Sequence, residues 1–342
     1  MINSYRHYDQ NKNIDLIGLG NAIVDIIVNI DDEFLEMNNL EKGSMNLISS
    51  DESQLFLKNC KVIKQISGGS SANTAVCLAE LGNDVQFIGR VKNDEFGKFF
   101  SSDIKKSNTT FNTPPTNEGP STAHSIILIT PDAQRTMCTY LGASVELETR
   151  DIDFSLIKNS KYLYLEGYLW DNELAKNAFL EAAKIAKSFN TRIILSLSDS
   201  FCVDRHRESF LELIYNYVDV VFCNESEVLS LFKKDNLKSC QESLFSLCKL
   251  LVVTLGDKGS LIINKKKTEL VKANFTGKVI DTTGAGDIYA GGFIHGLINN
   301  YSLQKCGEIG SICAGQIITQ LGSRSNIDLQ EFVRKNQLKN SY

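Results

Sequence analysis

Short apolar runs bounded by Gly or polar residues recur along this chain, and between them lie segments where apolar residues return every three or four positions. The first run, Ile14-Asp-Leu-Ile-Gly-Leu-Gly20, has the form of a buried strand, and Ala22 to Ile30 continues in β-rich sequence. The same pattern predicts strands at Val85 to Ile88, Tyr162 to Leu165, Ile193 to Leu197, Val218 to Phe222, Leu251 to Leu255 and Ser260 to Ile263. The clearest helix runs from Glu173 to Phe189, with Leu174, Ala178, Phe179, Ala182, Ile185, Ala186 and Phe189 on one face. Strand, helix, strand succession of this kind predicts an α/β fold. Its core would be a doubly wound, mostly parallel sheet with helices on both faces, binding ligands beyond the carboxyl ends of the strands.

Two stretches break the alternation. Residues 21–48, with Ser44-Met-Asn-Leu-Ile48, and residues 119–142, with Ala123 to Thr130 and Arg135 to Tyr140, read as strands without crossover helices. Pro131-Asp-Ala-Gln134 supplies turn chemistry between the latter pair. A small discontinuous β-sheet is therefore expected beside a large domain made of residues 1–20, 49–118 and 143–342. Residues 1–13 are polar and read as a loose tail.

A chain of 342 residues with 42% apolar content suffices for one large domain and such an appendage. A net charge of −5 without a basic tract argues against nucleic acid and against an anionic membrane surface as partners. Nine cysteines with no C-x-x-C pair read as reduced thiols. The N-terminus lacks the apolar stretch of a secretory signal, and no apolar run approaches the ~20 residues of a membrane span. The expectation is a cytoplasmic protein; the sequence leaves its oligomeric state open. His7, His124, His206 and His295 have no metal-ligand spacing, and His206, within Asp204-Arg-His-Arg207, reads as part of a solvated loop. Trp170 is assigned to core packing, with stacking on a base or sugar as the alternative.

The chemistry concentrates in Asp281-Thr-Thr-Gly-Ala-Gly-Asp287. A Gly-rich turn opening a helix aims unpaired backbone N–H groups at one point, where the helix dipole adds partial positive charge. A carboxylate in that first turn repels a phosphate but is well placed to take a proton from a hydroxyl attacking it. Read structurally, Asp287 is only an acidic residue favoured at a helix start. A second Gly-rich helix start, Ser67-Gly-Gly-Ser-Ser-Ala-Asn73 through Leu81-Gly82, lies far upstream. Gly18-Leu-Gly20-Asn-Ala-Ile23 lacks the third Gly of a dinucleotide fingerprint, and neither a P-loop nor a protein-kinase catalytic loop is present. Together the two Gly-rich stretches resemble the two signature motifs of the ribokinase-like (PfkB) family of sugar and nucleoside kinases.

The resemblance implies a role for each matching position. Asp287 would be the general base, and the amides of Gly284, Ala285 and Gly286 an anion hole. Asn21 and Asp25 would bind acceptor hydroxyls, although Asp25 also reads as a turn cap at a sheet corner. Gly68 and Gly69 would form a hinge, and Asn73 would reach the acceptor. Asn224 and Glu227 match an N-x-x-E motif, with Glu227 holding Mg²⁺ through water, and equally read as a helix capping box. Thr254, Gly256 and Gly259 match a turn approached by ATP, or a plain β-turn. Arg135 matches an Arg that reaches the transferred phosphoryl from the small sheet, which in this family is a lid over the acceptor. Asp281 and Thr283 match positions that ligate a monovalent cation in relatives, together with carbonyls of residues 322–326, so K⁺ joins ATP and Mg²⁺ among the ligands to test. Asn21-Ala-Ile-Val-Asp25, with Gly20 before it, looks closer to adenosine kinases than to fructose 6-phosphate kinases, and no Arg/Lys cluster in the lid advertises an acceptor phosphate. Adenosine leads, with a free sugar such as ribose or fructose as the alternative, and a catalytically silent nucleoside or sugar sensor as a third reading.

Overall fold

The structure, a computed structural model, describes residues 11–132, 134–240, 243, 247–265, 267–275 and 277–339. Most of the expected N-terminal tail, and His7 with it, lies outside the described residues. Among those residues a nine-stranded sheet forms the centre. Its parallel part comprises β1 (Ile14–Leu19), β5 (Val85–Ile88), β6 (Thr110–Phe111), β9 (Ser160–Glu166), β10 (Arg192–Ser196), β11 (Val220–Asn224) and β12 (Leu250–Thr254). Two antiparallel strands, β13 (Ser260–Asn264) and β14 (Thr268–Val271), close one edge in the order β14-β13-β12-β11-β10-β9-β1-β5-β6.

Both faces of this sheet are buried, which is why its strands are apolar runs rather than alternating ones. In β9, Tyr162 and Tyr164 enter one core while Leu163 and Leu165 enter the other. In β12, Leu250 and Val252 divide from Leu251 and Val253 in the same way. The predicted fold class is the observed one. The strands around the site all run the same way, so Asn21, Glu166, Ser196, Asn224 and Thr254 collect at their carboxyl ends.

The second sheet has the order β3-β8-β7-β2-β4. It contains β2 (Ile23–Asn29), β3 (Met45–Leu47), β7 (Ala123–Ile129), β8 (Arg135–Tyr140) and β4 (Val62–Gly68). The last of these comes from the 49–118 segment assigned above to the large domain, and its alternation is masked by Lys64 and Gln65. Register puts Asp25 beside Ile66 and Ser125, and Ile27 beside Ile127, which pairs in turn with Met137. Arg135 shares that face through its pairing with Ile129. The face looks onto the large domain, because a Cβ on Gly322 would lie 3.0 Å from Ile66 Cδ1.

Two local expectations change. The helix Glu173–Ser188 buries Ala175, Ala178, Phe179, Ala182, Ala183 and Ala186, whereas Leu174 and Phe189 are exposed. Alanines let the helix lie close on the sheet, which rotates its buried stripe by about one residue; Phe189 falls in the C-cap, under Lys158 Nζ at 4.8 Å. His206 lies in the helix Ser200–Tyr217, at a kink, bonded to Asp171 Oδ1 at 2.6 Å, and not in a loop. Trp170 packs in the core, stacked on Phe210, with Nε1 donating to Ser209 Oγ at 2.9 Å.

Candidate active site

The helix Ala285–Ile298 starts from Gly284, whose φ of 73° is left-handed and whose first turn has no side-chain cap. The Ala285 amide donates to the Thr282 carbonyl at 3.1 Å, so this residue departs from the expected trio of free amides. Among the described residues the Gly284 and Gly286 amides meet no protein acceptor. A Cβ on Gly286 would meet nothing within 4 Å, so open space lies in front of the turn.

This helix packs tightly on the helix Ser70–Glu80 of the upstream signature. A Cβ on Gly291 would lie 2.8 Å from Cys77, so the Ala-Gly-Gly run is what permits the approach. The approach brings Ser70 Oγ to 2.6 Å from Asp287 Oδ1 and Asn73 Nδ2 to 3.0 Å from Oδ2, while Thr74 Oγ1 donates to the Asp287 carbonyl at 3.1 Å. Asn73 cannot turn over: its Oδ1 accepts from Ser323 Oγ at 2.8 Å and from the Arg324 guanidinium. Burial pushes Asp287 up to about 6, against the hydrogen bonds of Ser70 and Asn73 and the charge of Arg324. A carboxylate of that pKa is ionised at neutral pH yet basic enough to accept a proton.

Asn21 follows β1 and donates through Nδ2 to Glu166 Oε1 at 2.6 Å. Glu166 Oε2 accepts from the Ser71 amide at 2.8 Å, so one buried carboxylate ties the β1–β2 junction to the signature helix. Burial raises Glu166 to about 7, against these hydrogen bonds. Asn21 Oδ1 is buried without a protein partner. Asp25 lies within β2, not at a turn, and no protein group hydrogen-bonds its carboxylate among the described residues. Burial lifts it to about 7 against the opposing charge of Arg324. Gly69 has φ 101°, and a Cβ there would sit 2.1 Å from the Asn21 carbonyl oxygen. Gly68 pairs with Ile23 and abuts the Asp25 carboxylate.

Two cavities meet at the 284–286 turn. One, of about 480 Å³, is lined by Thr254, Gly256 and Gly259 and by Ser311, Ala314 and Gly315 of the helix Leu303–Ile317. The other, of about 350 Å³, is lined by Ser70, Asn224, Glu227 and Asp287. Thr254, Thr282, Ala285 and Gly286 border both. Asn224 and Glu227 form the capping box: the Glu227 amide donates to Asn224 Oδ1 at 2.9 Å, and Glu227 receives the Asn224 amide and Nδ2 at 3.0 and 2.6 Å. Burial, with Asp199 and Asp287 adding to it, raises Glu227 to about 7 despite the Asn224 hydrogen bond. Glu227 and Asp287 on one cavity make an electronegative spot whose donor set fits Mg²⁺ held through water. No cluster of three or more metal-ligating side chains exists among the described residues.

Arg135 is ion-paired with Asp281, whose Oδ1 accepts from the Thr283 amide at 2.9 Å and Oδ2 from the Gly322 amide at 2.7 Å. Glu166, Arg324, Ser70 and Ser323 are the site residues that sequence reasoning missed. Glu166 ends an apolar strand just before Gly167, a signal that was available; Arg324, inside the 322–326 loop, carried none.

Such an arrangement serves transfer of a phosphoryl group to an alcohol, and that is the class of enzyme this chain is. It belongs to the pfkB carbohydrate kinase family, whose model matches residues 43–329, and its architecture is the ribokinase-like fold. A probable sugar kinase from Rhizobium etli CFN 42 is 39% identical, with a TM-score of 0.89 over 96% of this chain and 99% of that one. Adenosine kinase from Sinorhizobium meliloti is 41% identical, with a TM-score of 0.88 over 95% and 99%. The probable chloroplastic fructokinase-6 of Arabidopsis thaliana is 31% identical over 73% of this chain and 67% of its own length. The family's kinases use ATP with Mg²⁺. No described helix is long and apolar enough to cross a membrane.

Proposed function

We propose that this kinase transfers the γ-phosphoryl of ATP to the 5′-hydroxyl of adenosine or a closely related nucleoside. The observation that carries the reading is the inward face of the small sheet. Asp25, a carboxylate awaiting hydroxyl donors, is flanked there by Ile27, Ile66, Ile127 and Met137, which form an aliphatic cluster of their own. A ribose suits the carboxylate, and a flat base suits the wall beside it; a free polyol would leave that wall facing hydroxyls.

Within this reading the small sheet is the lid, hinged at Gly68 and Gly69. Asp25 and the orphan Asn21 Oδ1 accept from ribose hydroxyls, and Asn73 holds Asp287 in line. Asp287 takes the hydroxyl proton as the new O–P bond forms, and the Gly284 and Gly286 amides face the charge on the transferring group. ATP occupies the cavity bordered by Thr254 and Gly315. Bound Mg²⁺ would offset phosphate charge, and Glu227 would hold it through water. A cytoplasmic setting, with the cysteines reduced, belongs to the same reading.

The test is ADP release from ATP and Mg²⁺ across nucleosides, free sugars and sugar phosphates. Adenosine should exceed ribose and fructose in kcat/KM by about tenfold or more, since burial of a base contributes over 1.4 kcal/mol. A preference for fructose or ribose would transfer the assignment to the free-sugar class, and binding without turnover across the panel would make the chain a sensor.

A further inference from the structure

The residues around Asp281 do not fit the monovalent cation that the resemblance implies. A cation site needs several oxygens converging with free lone pairs, and here the carboxylate already accepts from the Thr283 and Gly322 amides and has its charge paired with the Arg135 guanidinium. The 322–326 loop presents an N–H to Asp281, and the Arg324 carbonyl accepts from Gln320 Nε2. Thr283 likewise meets Asp281 through its backbone N–H. The pair is deeply set: the Arg135 side chain is 11% exposed and that of Asp281 1%.

We infer that Arg135 is a built-in replacement for the cation, so that the 281–287 turn is held in shape without K⁺ and only while the small sheet covers it. Asp281 opens the turn that carries the Gly284 and Gly286 amides, and its carboxylate braces that turn against Gly322. A buried carboxylate in this place needs one positive charge. A guanidinium tethered to β8 is supplied independently of ionic composition. Because β8 belongs to the second sheet while Asp281 belongs to the large domain, the pair also couples sheet position to turn geometry. The inference rests on membership of the kinase family and is independent of which acceptor the enzyme takes.

The test compares KCl with tetramethylammonium chloride at equal ionic strength, reading both melting temperature and initial rate. Wild-type protein should give the same values in both salts. Arg135→Gln should lower Tm by roughly 4–7 °C, the shift expected when a buried charge loses its partner in a chain of this size. It should also lower the rate, and KCl but not tetramethylammonium chloride should recover part of both losses. In the double variant Arg135→Gln/Asp281→Asn that recovery should vanish. Should Arg135→Gln fail to fold, Arg135→Lys, which keeps the charge, should melt close to wild type in either salt. A wild-type enzyme whose Tm or rate rises in KCl overturns the inference, as does an Arg135→Gln variant with unchanged Tm and rate.

Discussion

Replacing Asp287 by Asn separates the chemical role of this carboxylate from its cost to the fold. At pH ~7 a group with a pKa of about 6 is roughly 90% ionised, so nearly every molecule carries the base. Removing it should lower kcat by about 10² to 10⁴ while the KM for ATP changes little. The stability effect runs the other way. The folded pKa, about 6, lies above the unfolded 3.8, so this group's contribution is full below about pH 3.8 and is lost as pH rises through about 6. A shift of about two units amounts to some 3 kcal/mol that the ionised form costs at neutral pH. Asn avoids that cost and can keep both contacts: its carbonyl accepts from Asn73 Nδ2, and its NH₂ donates to Ser70 Oγ, whose hydroxyl is free to rotate. With some loss of charge assistance, about 1–3 kcal/mol of gain remains, or a Tm rise of roughly 1–4 °C at pH ~8 that disappears towards pH ~4. Coupled ADP-release kinetics and calorimetry at the two pH values measure both. A near-normal kcat would refute the assignment of the base, and a lower Tm at pH ~8 would refute the argument from desolvation.

Other substitutions probe single links. In Asn73→Ala, Asp287 loses a hydrogen bond that lowers its pKa, so the acid limb of kcat/KM against pH should move to higher pH; an unmoved limb would mean that Asn73 does not tune the base. Asp25→Asn should raise the acceptor KM by about 10- to 100-fold, the value of charge-assisted hydrogen bonds to hydroxyls, with the ATP KM unchanged; an equal rise in both constants would point instead to disturbance of the small sheet. Glu227→Gln should raise the Mg²⁺ concentration for half-maximal rate by roughly tenfold in a titration at fixed ATP. Unchanged Mg²⁺ dependence there would leave Glu227 as a helix cap alone.

Much of this protein was determined by local sequence. Apolar runs such as Tyr162 to Leu165 are strands because both faces of a parallel sheet are dry, and the Gly-rich stretches at residues 67–73 and 281–287 open helices because Gly69 and Gly284 supply the positive φ those starts adopt. Strand Val62–Gly68 escaped because Lys64 and Gln65 interrupt its apolar pattern, and the stripe of Glu173–Ser188 shifted because alanines, not Leu174, set the approach to the sheet. Only the tertiary structure decided who touches whom. Asp287 meets Asn73 across 214 residues, Asn21 meets Glu166 across 145, and Asn73 meets Arg324 across 251. Such contacts depend on how closely the two signature helices pack and on which face the small sheet turns inward. The same packing sets Arg135 on Asp281, a position where the family resemblance implied a monovalent cation. Local sequence could say which residue types the chemistry requires, but a buried charge takes whichever partner the fold brings nearest, and that choice is made by packing at long range.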